Sequence, residues 1–434
     1  MTAQSKPHKI LVIGGGAGGL ELATQLGHRY RKNPDIEITM VDQNRSHIWK
    51  PLLHEVATGS LDASTDAVVY HAHAAKHHYN FQLGRFSGLN SQEQTVTLAE
   101  TTDEQGDTIL PERKLSYDTL VLGIGSVSND FNTPGVADHC YFLDTVKQAS
   151  RFHNALLNNF MRINQQDSGV LNIAIVGAGA TGVELAAELY NVTDMLKTYG
   201  MPNMTASQLK VHLIEAGPRI LPALPERISI SARSELSELG VEVRENTLVK
   251  SAQTDGIITS NDELISADMM IWAAGVKAAN FLADLKQFDL TRNNQILVKP
   301  TLQSRLNDEI FVIGDCCACA QPDGSWVPPR AQSAHQMATM VKHNIHSRLH
   351  DKPLKNYLYK DHGSLVNLSR YSTVGSLMGN LTKNSMFIEG KIARLVYISL
   401  YRMHQVAIHG WAKAMVVILA EKLSKVVKPK MKLH

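Results

Sequence analysis

Short apolar runs followed by polar turns and helix-like repeats occur twice in this chain. The first apolar run is Ile10–Ile13 and the second is Ile173–Val176, each of the length of a buried strand. Beyond each turn, apolar positions recur at helical spacing, over Leu20–Leu26 and again over Val183–Leu189. The pattern predicts two strand–turn–helix units, each belonging to a parallel sheet of an α/β protein.

The turns of the two units carry the same glycine pattern at the same offset. Their matching residues are Gly14, Gly16, Ala17, Gly18 and Gly19 in the first unit, and Gly177, Gly179, Ala180, Thr181 and Gly182 in the second. The first glycine permits the tight turn, the second lets the backbone approach a pyrophosphate, and the third lets the helix pack on the strand. Because the helix N-terminus offers free N–H groups to phosphates, each turn predicts a dinucleotide site.

A second strand ending in an acidic residue completes each unit. Ile36–Val41 precedes Asp42, and Leu209–Ile214 precedes Glu215. In dinucleotide folds an acid at this place hydrogen-bonds a ribose 2′-hydroxyl and repels the 2′-phosphate of NADP, so Glu215 favours NADH. Arg219, four residues further on, could weaken that preference. Two complete motifs indicate a protein that holds two dinucleotides, as transfer of electrons from a nicotinamide to a flavin requires.

Length and composition are those of an ordinary globular protein. The chain has 434 residues, 44% hydrophobic and 19% charged, which allows two or three domains. A net charge of +2 does not indicate a nucleic-acid partner. The first strand starts too early for a signal peptide, and the apolar runs are shorter than the ~18–20 residues that span a bilayer. We therefore expect the chain in the cytosol or on the cytosolic face of a membrane.

The C-terminal segment 391–434 is basic and amphipathic. It contains nine Lys or Arg and one acid, Glu421, with apolar residues between them. Such a segment lies in the plane of a membrane interface instead of spanning it, and anionic lipid adds about 1 kcal/mol per nearby basic residue. Packing of the segment on its own domain or at a dimer interface is the alternative, and both can hold at once.

Two clusters of metal-binding residue types have simpler explanations. Cys316, Cys317 and Cys319 lack the second pair of ligands that a zinc site needs. His73 and His77 have helical i,i+4 spacing that suits a metal, yet a solvated helix face is the simpler interpretation of the histidine-rich run His71–His78. The sequence therefore predicts no metal ligand.

Three further segments resemble motifs of flavoproteins that bind two dinucleotides. Tyr117–Ser126 resembles the strand and turn that close the flavin domain, and Ile271–Val276 resembles its counterpart in the nicotinamide domain. Ile310–Asp315 resembles the second flavin motif. Within that superfamily, Ala331–Gln336, Trp49–Ala57 and the C-terminal segment are similar to type II NADH:quinone oxidoreductases, especially the γ-proteobacterial members. The resemblance covers essentially the whole chain.

The resemblance implies an α/β fold of two tandem Rossmann domains with a C-terminal membrane-anchoring region. It places non-covalent FAD on the first glycine turn and NADH on the second, and it assigns to Asp315 a hydrogen bond to the ribityl chain of FAD. Further cofactor contacts are expected at Gln43, Lys50, Phe86, Gly125, Ala274, Gly275, Ala331 and Gln332. Disulfide reductases of the superfamily carry cysteine pairs at positions where this chain has none, which favours a quinone acceptor over a thiol.

The resemblance also implies catalytic roles for Glu184, Gln332, Gln336 and Lys391. Gln332 and Gln336 are four residues apart, so they share one face of a helix, which the family places beside the flavin ring and the quinone. The family commonly has two consecutive glutamines where this chain has Gln336-Met337. Glu184 is expected near the flavin and nicotinamide, although stabilisation of the helix dipole is its simpler role. For Glu21, at the same place in the first repeat, we expect only that simpler role.

The expected flavin domain comprises residues 1–130 and 291–385, the NADH domain 131–290, and the membrane-associating region 386–434. The expected activity is oxidation of NADH with two-electron reduction of a ubiquinone-type membrane quinone and no proton pumping, at the cytoplasmic face of the inner membrane. A soluble NADH-dependent reductase of a ferredoxin-like protein and an NADH-dependent redox-sensing protein are the alternatives. The sequence leaves open whether two copies form a homodimer.

Overall fold

The computed structural model describes residues 6–63, 67–103, 105–166, 169–368, 372–378, 385–389 and 401–427. These residues form two compact units. The first unit takes its chain from 1–49, 67–127 and 276–360, and the second from 50–66, 128–275 and 361–434. Each unit is thus assembled from three segments that are distant in sequence.

The helices are α1 Ala17–Tyr30, α2 Leu53–Thr58, α3 Tyr70–His77, α4 Val136–His139, α5 Val146–Gln166, α6 Ala180–Leu196, α7 Glu226–Leu239, α8 Phe281–Asp284, α9 Ala331–Arg348 and α10 Trp411–Val427; residues 401–409 are also helical. The strands are β1 His8–Ile13, β2 Ile36–Asp42, β3 Ser46–His47, β4 Val68–Val69, β5 Asn80–Leu83, β6 Arg85–Asn90, β7 Thr95–Ala99, β8 Thr101–Thr102, β9 Thr108–Leu110, β10 Arg113–Ser116, β11 Thr119–Leu122, β12 Val127–Ser128, β13 Cys140–Tyr141, β14 Leu171–Val176, β15 Leu209–Ile214, β16 Glu242–Arg244, β17 Val249–Gln253, β18 Gly256–Thr259, β19 Leu264–Ser266, β20 Met269–Trp272, β21 Val276–Lys277, β22 Ile296–Leu297, β23 Ile310–Val312, β24 Cys317–Ala318, β25 Gly363–Leu368, β26 Ser372–Met378 and β27 Ser385–Glu389.

The core of the first unit is a five-stranded parallel sheet in the order β23-β11-β1-β2-β5. The last four residues of β1, Ile10–Ile13, are buried without alternation, because a central parallel strand is covered on both faces. Helices α1 and α9 pack against each other, and an antiparallel sheet, β10-β7-β6, completes the unit. The ends of β1, β11 and β23 therefore lie side by side at one edge of the parallel sheet.

The second unit repeats this plan. Its parallel sheet has the order β13-β20-β14-β15-β16, with β14 in the central place that β1 holds in the first unit. An antiparallel sheet, β17-β18-β19, again accompanies it. One buried hydrophobic cluster contains residues of both sheets, among them Val176, Ile257 and Trp272. Helix α2 packs against α5 and α6, and β25 also contacts α6.

The two predicted strand–turn–helix units are confirmed, at β1–α1 and at β14–α6. The tandem Rossmann architecture inferred from the repeat is therefore the observed one. Within the described residues, no helix is both long and apolar enough to cross a bilayer. Residues 390–400 and 428–434, including the predicted site residue Lys391, lie outside the described part of the chain.

Candidate functional site

The acidic residue after the second strand of each repeat is held by the glycine turn. In the first unit the N–H of Gly15 donates to Oδ2 of Asp42 at 2.7 Å, and in the second the N–H of Ala178 donates to Oε2 of Glu215 at 2.9 Å. The other oxygen of Glu215 accepts the N–H of Gly217 at 2.8 Å. Each carboxylate is thus fixed at the turn where a dinucleotide fold binds a ribose.

Steric contacts explain the outer glycines of each turn. Gly14 and Gly177 have φ values of +100° and +101°, which side chains rarely adopt. A Cβ at Gly19 would lie 1.9 Å from the carbonyl oxygen of Gly14, and one at Gly182 would lie 2.0 Å from that of Gly177. The helix therefore approaches the turn too closely for any side chain at these positions.

The middle glycines face open space instead. Ideal Cβ atoms built on Gly16 and Gly179 have no neighbour within 4 Å among the described residues. Both glycines immediately precede a helix, α1 in one unit and α6 in the other, where unsatisfied N–H groups attract phosphate. A turn that is tight on one side and open at the helix N-terminus fits the pyrophosphate of FAD in the first unit and of NADH in the second.

The two acids have different neighbours. Burial raises the pKa of Asp42 above its ordinary value, while hydrogen bonds from Asn44 and Gly15 oppose that rise. Near Glu215, the guanidinium of Arg219 donates to the carbonyl oxygens of Leu224 at 2.8 Å and Pro222 at 3.0 Å. Those two carbonyl oxygens hold the guanidinium of Arg219 within its own loop.

Asp315 lies in the turn that follows β23, beside the end of β11. Its Oδ2 accepts the hydroxyl of Ser126 at 2.7 Å, and its backbone carbonyl accepts the side-chain amide of Gln295 at 2.8 Å. Gly125, with φ +73°, turns the chain next to Ser126. These contacts fix the Asp315 carboxylate at the same edge of the sheet as the first glycine turn, where the resemblance expects a ribityl contact.

Helix α9 places Ala331 and Gln332 in its first turn and Gln336 one turn later. The amide of Gln336 is already engaged, because its Nε2 donates to the carbonyl of Lys360 at 2.8 Å and its Oε1 accepts the N–H of Lys360 at 3.0 Å. The sulfur of Met337 accepts the N–H of Gly314 at 3.2 Å. Gln332 and Gln336 thus lie four residues apart in one helix, as predicted. The two hydrogen bonds of Gln336 hold the chain at Lys360 against α9.

Glu184 is the fifth residue of α6 and is buried, with an exposed fraction of 6%. Its Oε1 accepts the backbone N–H of Asn367 in β25 at 3.0 Å, and its Oε2 lies 3.7 Å from Nδ1 of His54 in α2. Glu184 therefore has specific partners beyond the helix dipole. Sequence reasoning missed His54, although the residue lies inside the segment Trp49–Ala57 that carried the family resemblance.

The other residues predicted to contact a cofactor lie in different surroundings. Gln43 is exposed directly after Asp42, and Ala274 packs against Gly177, where a Cβ would approach its backbone to 2.6 Å. Phe86 is buried and packs edge-on against Phe281 at 5.5 Å between ring centroids. Lys50 belongs to the second unit, where its ammonium lies 3.5 Å from Asp144. Phe86 and Lys50 are thus fixed by protein contacts of their own.

Two simpler interpretations from the sequence are wrong. His73 and His77 are not on a solvated face: both are buried, with rings stacked 4.0 Å apart, and the ring nitrogens of His77 and His28 lie 2.7 Å from each other. Glu21 does more than stabilise the dipole of α1, because it bonds His335 of α9 and accepts the amide of Gln25 at 2.6 Å. Helical spacing alone cannot tell which face a neighbouring element covers.

Comparisons with known proteins identify the family of this chain. Residues 8–338 match the family described as pyridine nucleotide-disulphide oxidoreductase, a class of dinucleotide-binding enzymes. The type II NADH:quinone oxidoreductase of Haemophilus influenzae is 45% identical over 441 residues, covering 98% of this chain and 99% of that protein. The chain belongs to the type II NADH:quinone oxidoreductase family.

More distant relatives also match most of the chain. The type II NADH:quinone oxidoreductase of Staphylococcus aureus strain NCTC 8325 is 28% identical over 380 residues, covering 86% of this chain and 90% of that protein. The structure of NDH2 from Plasmodium falciparum in complex with NADH has a TM-score of 0.78 at 18% identity, and covers 92% of this chain and 94% of that one. That structural likeness extends the shared fold over nearly the whole chain.

Proposed function

We propose that this chain, with FAD as its cofactor, oxidises NADH and reduces a ubiquinone-type membrane quinone by two electrons. The observation that carries the proposal is the pair of glycine turns, each holding an acidic side chain and open at its middle glycine. A bound flavin supplies the two-electron chemistry that links the two substrates. Family membership supports this assignment of substrates.

The protein's own residues bind and orient the reactants. The turn and N-terminus of α1 hold one pyrophosphate and those of α6 the other, while Asp42 and Glu215 orient the two riboses. We propose that Glu184 and Gln332 each take part in the reaction, with Gln336 and Lys391 as the further residues that the family resemblance implies. The flavin domain is proposed to comprise 1–130 and 291–385 and the NADH domain 131–290, since the two parallel sheets draw their strands from these ranges. Residues 50–66 and the strands β25 and β26 nevertheless belong to the second compact unit.

We expect purified flavin-loaded protein to reduce a soluble ubiquinone analogue rapidly under anaerobic conditions with NADH, and at least tenfold more slowly with NADPH. The acid at Glu215 and the internally bonded Arg219 are the reasons for the preference. Quinol formation and flavin absorbance are followed together. If NADH bleached the flavin but quinone did not reoxidise it, the assignment of quinone as acceptor would be contradicted. A ferredoxin-like protein would then be the acceptor to test.

The C-terminal helix α10 supports membrane association. Trp411, Met415, Leu419 and Leu423 follow one another at i,i+4 spacing on one face, and all are exposed, from 49% for Met415 to 72% for Trp411. An exposed apolar stripe in a segment this rich in lysine fits an interface helix on anionic lipid. We propose that α10 holds the protein on the cytoplasmic face of the inner membrane.

Leu419→Asp combined with Met415→Asp should lower partitioning onto vesicles containing phosphatidylglycerol by tenfold or more, about 1.4 kcal/mol. The reason is that both changes place charge in the stripe that enters the lipid. Ile230→Asp is the matched control, because Ile230 is equally exposed, at 64%, on the unrelated helix α7. Equal loss of vesicle binding in the control, or no loss in the double variant, would contradict the role of α10 as a membrane anchor.

Light scattering on the same protein without vesicles measures its molar mass and so tests whether two copies form a homodimer.

A further inference from the structure

A buried cluster of three titratable side chains lies where α2 packs against α6. His54 of α2 and Glu184 and Glu188 of α6 have exposed fractions of 3%, 6% and 5%. The two glutamates are one helical turn apart, so both can face the same partner. Burial of two like charges is costly unless a proton or a cation lies nearby. In this cluster the imidazole of His54 is the group that can carry that proton.

Each carboxylate is held by donors of its own. Glu184 accepts the backbone N–H of Asn367 at 3.0 Å. Glu188 accepts the hydroxyl of Ser60 and, at 3.0 Å, the side-chain amide of Asn191. These bonds fix where the two charges lie and do not depend on His54. The positions of the two carboxyl groups therefore do not depend on the imidazole, whose own backbone hydrogen bond is to the carbonyl of Pro51.

The groups that surround His54 shift its pKa in opposite directions. Burial lowers the pKa of His54, while the Glu188 carboxylate and the Pro51 carbonyl oppose that shift. Its Nδ1 lies 3.7 Å from Glu184, and its Nε2 lies 4.0 Å from Glu55 on the same helix. Helix α5 also packs on α2 and contributes the buried His153, and Lys50, in the turn before α2, pairs with Asp144. The carboxylates near His54 are thus those of Glu55, Glu184 and Glu188.

We propose that His54 is a positioning residue for Glu184: it takes up the proton that would otherwise neutralise Glu184, and so keeps that carboxylate ionised as the pH falls. The inference rests on the proposed function, because it assigns the charge of Glu184 a part in turnover. In acid, the proton resides on the imidazole ring, and the carboxylate 3.7 Å away stays an anion. Above this range the imidazole is neutral and the cluster carries only its carboxylate charges.

His54→Gln should move the acid limb of the pH–rate profile upward by about one pH unit. An opposite charge within 4–6 Å shifts a carboxyl pKa by roughly 1–3 units, and the variant removes that charge. Rates are normalised to bound flavin and measured both for reduction of the flavin by NADH and for quinone reduction. In a Glu184→Gln background, His54→Gln should produce no further shift, since there is no carboxylate left to protect.

His212→Gln is the matched control. His212 is also buried in the second unit and lies 3.3 Å from a glutamate, Glu242, but on β15 and β16 rather than in the cluster. Its pH profile should superimpose on that of the wild type. An unshifted acid limb in His54→Gln, an equal loss of rate at every pH, or a shift that persists without Glu184 would overturn the proposal. His54→Asn serves the same test if His54→Gln fails to fold.

A second readout does not need quinone. Since the pKa of folded His54 lies below that of a histidine in the unfolded chain, the unfolded state binds more protons below about pH 6.5. The Tm of the wild type should therefore fall relative to the Tm of His54→Gln as the pH decreases through this range. If the difference in Tm between the wild type and His54→Gln is the same at every pH, the proposal is overturned. If only quinone reduction fails, while reduction of the flavin by NADH and the Tm values behave as stated, only the proposed function is contradicted.

Discussion

Glu184→Gln should lower the rate of NADH-driven quinone reduction by about a hundredfold, within the range ascribed to one acid–base group. The amide oxygen can still accept the N–H of Asn367, so the side chain stays in place while its charge and its capacity for a proton are lost. Steady-state rates with a ubiquinone analogue measure the effect, and NADH affinity should change only a few-fold.

Glu21→Gln is the matched control for that change. Glu21 occupies the same place in the first repeat, in the first turns of α1, and is equally buried at 6%. Its bond to His335 connects α1 with α9 in the first unit, and its bond to Gln25 lies within α1. We expect its rate to stay within tenfold of the wild type. If the two variants lost rate equally, the role assigned to Glu184 would reduce to that of a buried helix residue.

Gly182→Ala should destabilise the protein by about 3 kcal/mol, at the upper end of the range for overpacking. The added Cβ would lie 2.0 Å from the carbonyl oxygen of Gly177, and this contact is with backbone that cannot move aside. Thermal or denaturant unfolding followed by circular dichroism measures the loss. Flavin should be retained at low temperature because the first unit carries its own glycine turn.

Gly179→Ala separates packing from ligand binding. A Cβ at Gly179 meets no described atom within 4 Å, so stability should change by less than about 0.5 kcal/mol. The methyl group would occupy the space through which the backbone approaches the pyrophosphate, so NADH affinity should fall at least tenfold. Wild-type NADH affinity in Gly179→Ala, or wild-type stability in Gly182→Ala, would contradict this division between the two glycines.

Local patterns determined most of the fold. Each strand–turn–helix unit is encoded within a short stretch, since the apolar run, the glycines and the following helix are contiguous. The acids Asp42 and Glu215 could also be found, because each comes directly at the end of a strand that pairs in parallel with β1 or β14. The repeat of one pattern at two places then made the duplicated sheet order predictable.

Contacts between distant segments could not be predicted in the same way. His54 and Glu184 are far apart in sequence, and only the packing of α2 on α6 brings them within 3.7 Å. The same is true of His77, whose burial depends on α1: a Cβ at Gly27 would lie 2.1 Å from the His77 carbonyl oxygen. The i,i+4 spacing of Glu184 and Glu188 is a local signal for a common partner, but it does not say which residue that partner is.

The four cysteines have a practical consequence. Burial raises the pKa of Cys140 and Cys316 to about 12 and of Cys319 to about 11, and that of Cys317 well above its ordinary value; none forms a disulfide. Electrophiles and peroxides attack the thiolate, which is scarce at neutral pH under these conditions. We therefore expect the four thiols to react slowly with alkylating reagents, so that attaching a spectroscopic label requires a new cysteine on the surface.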